Sequence, residues 1–184
     1  MALPSASGCL RLSGSISSRS ARACRGALQW RHRGVAALAR GRLLIIAEEY
    51  ENPAGSLKGW LIENERFEPL SYLPSEGFRP TDLTALANGD VLVLERRYGL
   101  LAGWAARIQI LSAASIRPGG RLKGEEIARL ERPLMVDNFE GMAVHEDPKL
   151  GTFIYLISDD NYLPFQRTLL LQFRLERGGR SGKQ

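Results

Sequence analysis

The strongest constraint on the fold of this chain is a unit that occurs three times. Each copy has a short apolar strand, a polar or Gly-containing turn, a more apolar returning strand, and then charged residues. The copies are GVAALARGRLLIIAEE (Gly34 to Glu49), PTDLTALANGDVLVLERRY (Pro80 to Tyr98) and NFEGMAVHEDPKLGTFIYLISDDN (Asn138 to Asn161). Two β-rich runs about a turn read as an antiparallel hairpin. Asn88-Gly89-Asp90 has the residues that a tight hairpin turn favours. With Ala36, Asp82 and Glu140 taken as equivalent, the copies are offset by 46 and 58 residues. A repeat of about 40 to 50 residues carrying several strands is the signature of propeller blades.

The stretches between the hairpins supply outer strands. GWLIE (Gly59 to Glu63) and EPLSYLP (Glu68 to Pro74) flank the turn Asn64-Glu65-Arg66. ARIQILSAASI (Ala106 to Ile116) and EEIARLERPL (Glu125 to Leu134) flank Arg117-Pro118-Gly119-Gly120. The third unit has one further strand in QRTLLLQFRLE and lacks a fourth. Helical periodicity is weak throughout. The expected class is therefore all-β: a partial β-propeller of about three four-stranded antiparallel blades over residues 35–184, after a leader at 1–34. Known propellers have about 4 to 8 blades, and three leave open edges with unpaired backbone groups. A segment of a larger propeller, or self-association through the open edges, is expected.

Charge is unevenly placed. The chain has a net charge of +5, yet residues 1–47 hold eight arginines and no acid, which leaves the remainder at −3. The basic pI of about 9.6 is thus a property of the N-terminal tract and does not point to nucleic acid. An Arg- and Ser-rich, acid-free start resembles an organellar transit peptide, while a disordered or non-native leader fits the same composition. No apolar run of secretory type precedes a cleavage site, so localisation stays open. Both cysteines, Cys9 and Cys24, lie in this tract, which rules out a disulfide framework or Cys-based metal site in the rest. No apolar run approaches the roughly 18 to 20 residues that a transmembrane helix needs.

Hairpin geometry brings the start of each first strand beside the end of the returning one. It therefore gathers Asp82 and Glu140 with Glu48, Glu49, Glu95, Asp159, Asp160 and Asn161 at one edge. Asp82, Glu140, Asp159, Asp160 and Asn161 are the expected donors to a hard cation such as calcium, which takes oxygen ligands at about 2.3 to 2.6 Å. Arg79, Arg96, Arg97 and Arg167 fall near the same edge, where guanidinium groups suit a phosphate or carboxylate. The competing reading is structural. Asp and Asn at strand ends cap turns through local bonds, Glu48 and Glu49 are solvated strand ends, and Arg96 and Arg97 pair with Glu95 or its neighbours. There is no G-x-S-x-G elbow, and His32 and His145 do not fit a Ser–His–Asp triad. Trp60 and Trp104 are expected to pack between blades.

The motifs GFRPTDLTALANGDVLVLERRY, ARIQI, DNFEGMAV and LISDDNYLPFQRTLLLQFRL resemble the esterase-like-activity-of-phytase family, the phytase-like domain. The resemblance covers about residues 34–175 and corresponds to the C-terminal half of the family domain. It implies a β-propeller, calcium dependence and a hydrolase acting on a small-molecule ester or phosphate, and the acids gathered at the shared edge make Glu140 and Asp159 the expected catalytic carboxylates. Ala36 stands where family members usually carry a glutamate, and the turn Ala39-Arg40-Gly41-Arg42 is shorter than usual. These departures favour a second reading, a non-catalytic propeller segment with structural calcium and a protein-binding role. A lactonase-like metal hydrolase is a third.

Overall fold

A computed structural model describes residues 32–164 and 166–176. Cys9, Cys24 and nearly all of the expected leader lie outside these residues. The fold is all-β, with twelve strands among the described residues: β1 (His32–Ala37), β2 (Leu43–Glu51), β3 (Leu57–Glu63), β4 (Arg66–Tyr72), β5 (Arg79–Ala85), β6 (Val91–Gly99), β7 (Gly103–Leu111), β8 (Arg121–Leu122), β9 (Glu125–Leu130), β10 (Phe139–Asp147), β11 (Gly151–Ser158) and β12 (Leu170–Leu175). They form three sheets in chain order: β1-β2-β3-β4-β8, β5-β6-β7-β9 and β10-β11-β12. The three expected hairpins are β1–β2, β5–β6 and β10–β11.

The strand count departs from four per unit. The loop between β7 and β9 crosses back, and its β8 pairs in parallel with the edge of β4, Ser71 opposite Arg121 and Tyr72 opposite Leu122. A five-stranded first sheet results, while the third keeps three strands. β1 begins at His32, inside the tract expected to be leader.

The middle sheet shows why these sequences fold this way. In β6 every residue from Val91 to Glu95 is buried. Strand alternation sends Val91 and Val93 to one face and Leu92 and Leu94 to the other. The first pair packs with Leu44, Ile46, Leu57 and Leu61 of the first sheet. The second packs with Phe139, Met142, Ile154 and Leu156 of the third. A strand covered on both faces must be apolar throughout, which is the composition of VLVL. Burying each such side chain contributes about 1.5 to 3 kcal/mol.

The inner strands β1, β5 and β10 neighbour one another in that order. Thr81 Oγ1 donates to Phe139 O at 3.3 Å and Thr84 Oγ1 to Met142 O at 2.9 Å, so β5 and β10 run in the same direction. At the other seam Gly34 abuts Leu83, where an added Cβ would come within 2.6 Å of Leu83 Cγ.

Each inner strand also carries the same irregularity. The register skips one residue between His32 and Gly34, between Pro80 and Asp82, and between Phe139 and Gly141. These three bulges make Gly34, Asp82 and Gly141 equivalent, rather than Ala36, Asp82 and Glu140. The skipped residues are Arg33, Thr81 and Glu140. On the returning strands, the residues just beyond the bulge partners are Glu48, Arg96 and Asp159. A bulge re-aims one side chain while leaving the rest of the strand paired.

Candidate functional site: an arginine between carboxylates from three sheets

The end of the molecule where β5 and β10 start also collects the ends of β6, β9 and β11 and the starts of β7 and β12. Arg96, near the end of β6, occupies its centre. Alternation puts it on the face of Leu92 and Leu94, toward the third sheet. Its guanidinium hydrogen-bonds Asn138 Oδ1, lies 2.9 Å from Glu140 Oε1 and lies 3.3 Å from Glu48 Oε1. Asn138 Nδ2 donates to the same Glu140 oxygen at 2.9 Å. The three ionic side chains are 17% (Arg96), 8% (Glu48) and 19% (Glu140) exposed. The Trp104 ring centre lies 5.5 Å from Arg96 Cζ. Glu48 comes from the first sheet, Arg96 from the second, and Glu140 with Asn138 from the third. The bulge lifts Glu140 out of the β10–β11 ladder and into this position.

The other residues expected at this edge separate from it. Asp82 accepts hydrogen bonds from Leu83 N at 2.8 Å and Met142 N at 2.7 Å, linking the second and third sheets. Burial pushes its carboxyl above the usual value, against the opposing pull of the two amides. Asp159 Oδ1 accepts from Asn161 N at 2.9 Å and Asp160 Oδ1 from Tyr162 N at 2.9 Å, while Thr168 Oγ1 donates to Asp160 Oδ2 at 3.1 Å. Both carboxylates thus cap the turn they belong to, in which Asn161 and Tyr162 have positive φ. The backbone of Asp159 stays beside the cluster, its N–H donating to Asn138 O at 3.0 Å. Arg79 pairs with Glu51 at the surface. Arg167 is exposed, with its backbone N–H on Asp137 Oδ2 at 2.8 Å.

Among the described residues no three His, Cys, Asp or Glu side chains gather as a metal-holding group. The donors that do converge, Glu48, Glu140 and Asn138, enclose a guanidinium. Of the five expected calcium donors, Glu140 belongs to this cluster, while the side chains of Asp82, Asp159 and Asp160 are hydrogen-bonded elsewhere.

Glu48, expected as a solvated strand end, is buried, and so is Glu95, while Glu49 is exposed. Glu48 belongs to the cluster above. Glu95 is fully buried at the seam between the first and second sheets. It receives Arg107 Nε at 2.5 Å, Tyr72 OH at 2.9 Å and Gln109 Nε2 at 3.0 Å. Burial raises its carboxyl above the ordinary value, with Arg107 opposing. Burial and the neighbouring Glu95 charge raise the Tyr72 phenol as well. Arg107 also reaches Ser75 Oγ at 2.9 Å and lies 3.4 Å from Glu76. Phe78 lies beneath Arg97, Arg107 and Arg129, its ring centre 4.6, 4.3 and 5.3 Å away. The signal for this network is three polar residues, Glu95, Arg107 and Gln109, within otherwise apolar strands. Trp104 packs beside Tyr98 at the molecule's end, ring centres 4.9 Å apart.

Three consecutive sheets with neighbouring inner strands and an ionic cluster at their common end define a repeat-built all-β domain with a candidate site at that end. The chain belongs to the phytase-like family, described as esterase-like activity of phytase, whose model matches residues 34–162. At the level of the family this is a phytase- or esterase-like hydrolase domain. Neither the curated proteins nor the solved structures contain a match. Among the described residues no helix is long and apolar enough to cross a membrane.

Proposed function

We propose that the three sheets are consecutive blades of a β-propeller and that the chain acts as an ester hydrolase through the Arg96 cluster. The observation that carries this reading is the convergence of Glu48, Arg96 and Glu140 from three sheets at one partly open end. Membership of the phytase-like family supports it. Glu140 is the base that takes a proton from the attacking water. Arg96 and Asn138 fix the orientation of its carboxylate, and Arg96 steadies negative charge that develops on the ester oxygen. The substrate is a small phosphate or carboxyl ester. No step of this scheme runs through a metal.

A panel of phosphate monoesters, carboxyl esters and lactones, run with calcium and with chelator, tests the scheme and the sequence-based expectation of calcium together. Turnover of one class supports hydrolysis, and inertness across the panel removes it. Calorimetric titration with calcium on the wild type and on Glu140→Ala separates a metal role from a purely ionic one.

The second reading is a non-catalytic propeller segment with a protein-binding role. It is favoured by the same ion pairs, since Arg96 holding Glu48 and Glu140 clamps the three sheets together. Inertness of the wild type across the whole panel, together with loss of stability in Arg96→Ala, would select this reading.

A further inference from the structure

Three loops at the site end carry large apolar side chains into solvent. Leu100 and Leu101, at the tip of the β6–β7 hairpin, are 89% and 93% exposed. Met135 in the β9–β10 loop is 62% exposed, and Tyr162 in the β11–β12 loop is fully exposed, with Leu163 beside it. The loops are tied together. Arg167 Nη1 lies 3.8 Å from Met135 Sδ, and in the amide orientation that satisfies both groups Gln166 Oε1 accepts from Trp104 Nε1 at 3.2 Å. Gln166 N donates to Leu163 O at 3.0 Å.

The hairpin has a layered order. Leu100 and Leu101 form its tip, Tyr98 and Trp104 are paired across the strands behind them, and Arg96 and Arg97 come next along β6. Apolar tip, aromatic pair and guanidinium is the sequence of environments met on entering a bilayer interface, where tyrosine and tryptophan occupy the headgroup level and arginine reaches to water. The apolar side chains project from loops and do not line a groove. The 560 Å³ cleft between β9 and β12 is bordered by none of them. A projecting apolar surface without concave shape fits a fluid partner better than a shape-matched one. Exposed apolar patches of this kind mark interaction sites.

We propose that this loop cluster docks the protein peripherally on a lipid surface, with Leu100 and Leu101 inserted and Tyr98 and Trp104 at the headgroup level. The proposal is independent of hydrolysis. Flotation of the full chain with phosphatidylcholine vesicles, with and without phosphatidylserine, tests it. The wild type is expected to float with the vesicles. The Leu100→Asp/Leu101→Asp variant is expected to lose at least about tenfold in partitioning, since charge at the membrane is costly. Leu150→Asp, at an exposed leucine in the β10–β11 turn at the opposite end of the molecule, is expected to float like the wild type. Far-UV circular dichroism and the unfolding midpoint verify that the tip variant folds. Absence of wild-type flotation with either lipid overturns the proposal, as does equal flotation of the tip variant. Light scattering that shows a dimer lost on the same double substitution, without flotation, would assign the tip to a second copy instead and also overturn it.

Discussion

Glu95 and Arg96 are neighbours on β6 and belong to two different ionic clusters. Glu95 points into the seam with the first sheet, where Arg107, Tyr72 and Gln109 satisfy it away from water. Arg96 points the other way and meets carboxylates from the two flanking sheets near solvent. Both clusters are built from the same residue types, and burial separates their roles. A sealed and fully hydrogen-bonded pair fixes how two sheets register against each other. A partly open one retains groups that a ligand can reach.

The largest effect that would break this comparison lies at the sealed cluster. Glu95→Ala leaves Arg107 buried without its closest carboxylate, and removing one partner of a buried pair costs about 3 to 5 kcal/mol. Chemical denaturation should show that loss, and a shift within error of zero would remove the structural role. Arg96→Ala should destabilise less, by about 1 to 2 kcal/mol, because its hydrogen bonds to charged groups are partly exposed. A larger loss than that of Glu95→Ala would invert the comparison.

The pH response sharpens it further at smaller amplitude. Folding raises the Asp82 and Glu95 carboxyls, in both cases chiefly by burial. Their contribution to stability is fully present below the ordinary values of 3.8 and 4.5 and is lost as pH rises through their folded values. Glu76 and Glu126 behave oppositely. Hydrogen bonds from Arg129 hold both below 4.5, so their contribution is lost as pH falls through their folded values. Asp82→Asn should therefore flatten the loss on the rising side while leaving the acid side unchanged, read from unfolding midpoints between acid and neutral pH.

The hairpins were legible in the sequence because period-2 patterning and turn residues are local signals. Continuous burial of Val91 to Leu94 was likewise visible in the apolar run. The pairing of β8 with β4 was not, because two residues in a long crossover carry no pattern of their own. The bulges were not legible either, since one skipped residue shifts the alignment without altering composition. Glu140 was singled out for its position between Phe139 and Gly141, and the bulge is the physical reason that it faces the cluster. Glu48 and Glu95 read as strand-end acids; which face each occupies depends on alternation counted from a register that only pairing sets. Asp159, Asp160 and Asn161 share the edge in sequence, but their side chains turn back to cap the local backbone.

The most direct test of the central claim compares Glu140→Gln with Glu95→Gln in ester hydrolysis and unfolding on the same preparations. The account predicts that Glu140→Gln lowers turnover by about 100-fold, within the range for loss of a general base, with its unfolding midpoint close to wild type. It predicts that Glu95→Gln shifts the midpoint while the folded fraction keeps its turnover. Full turnover by Glu140→Gln, or loss of turnover only in proportion to unfolding, would contradict the assignment of the Arg96 cluster as the site.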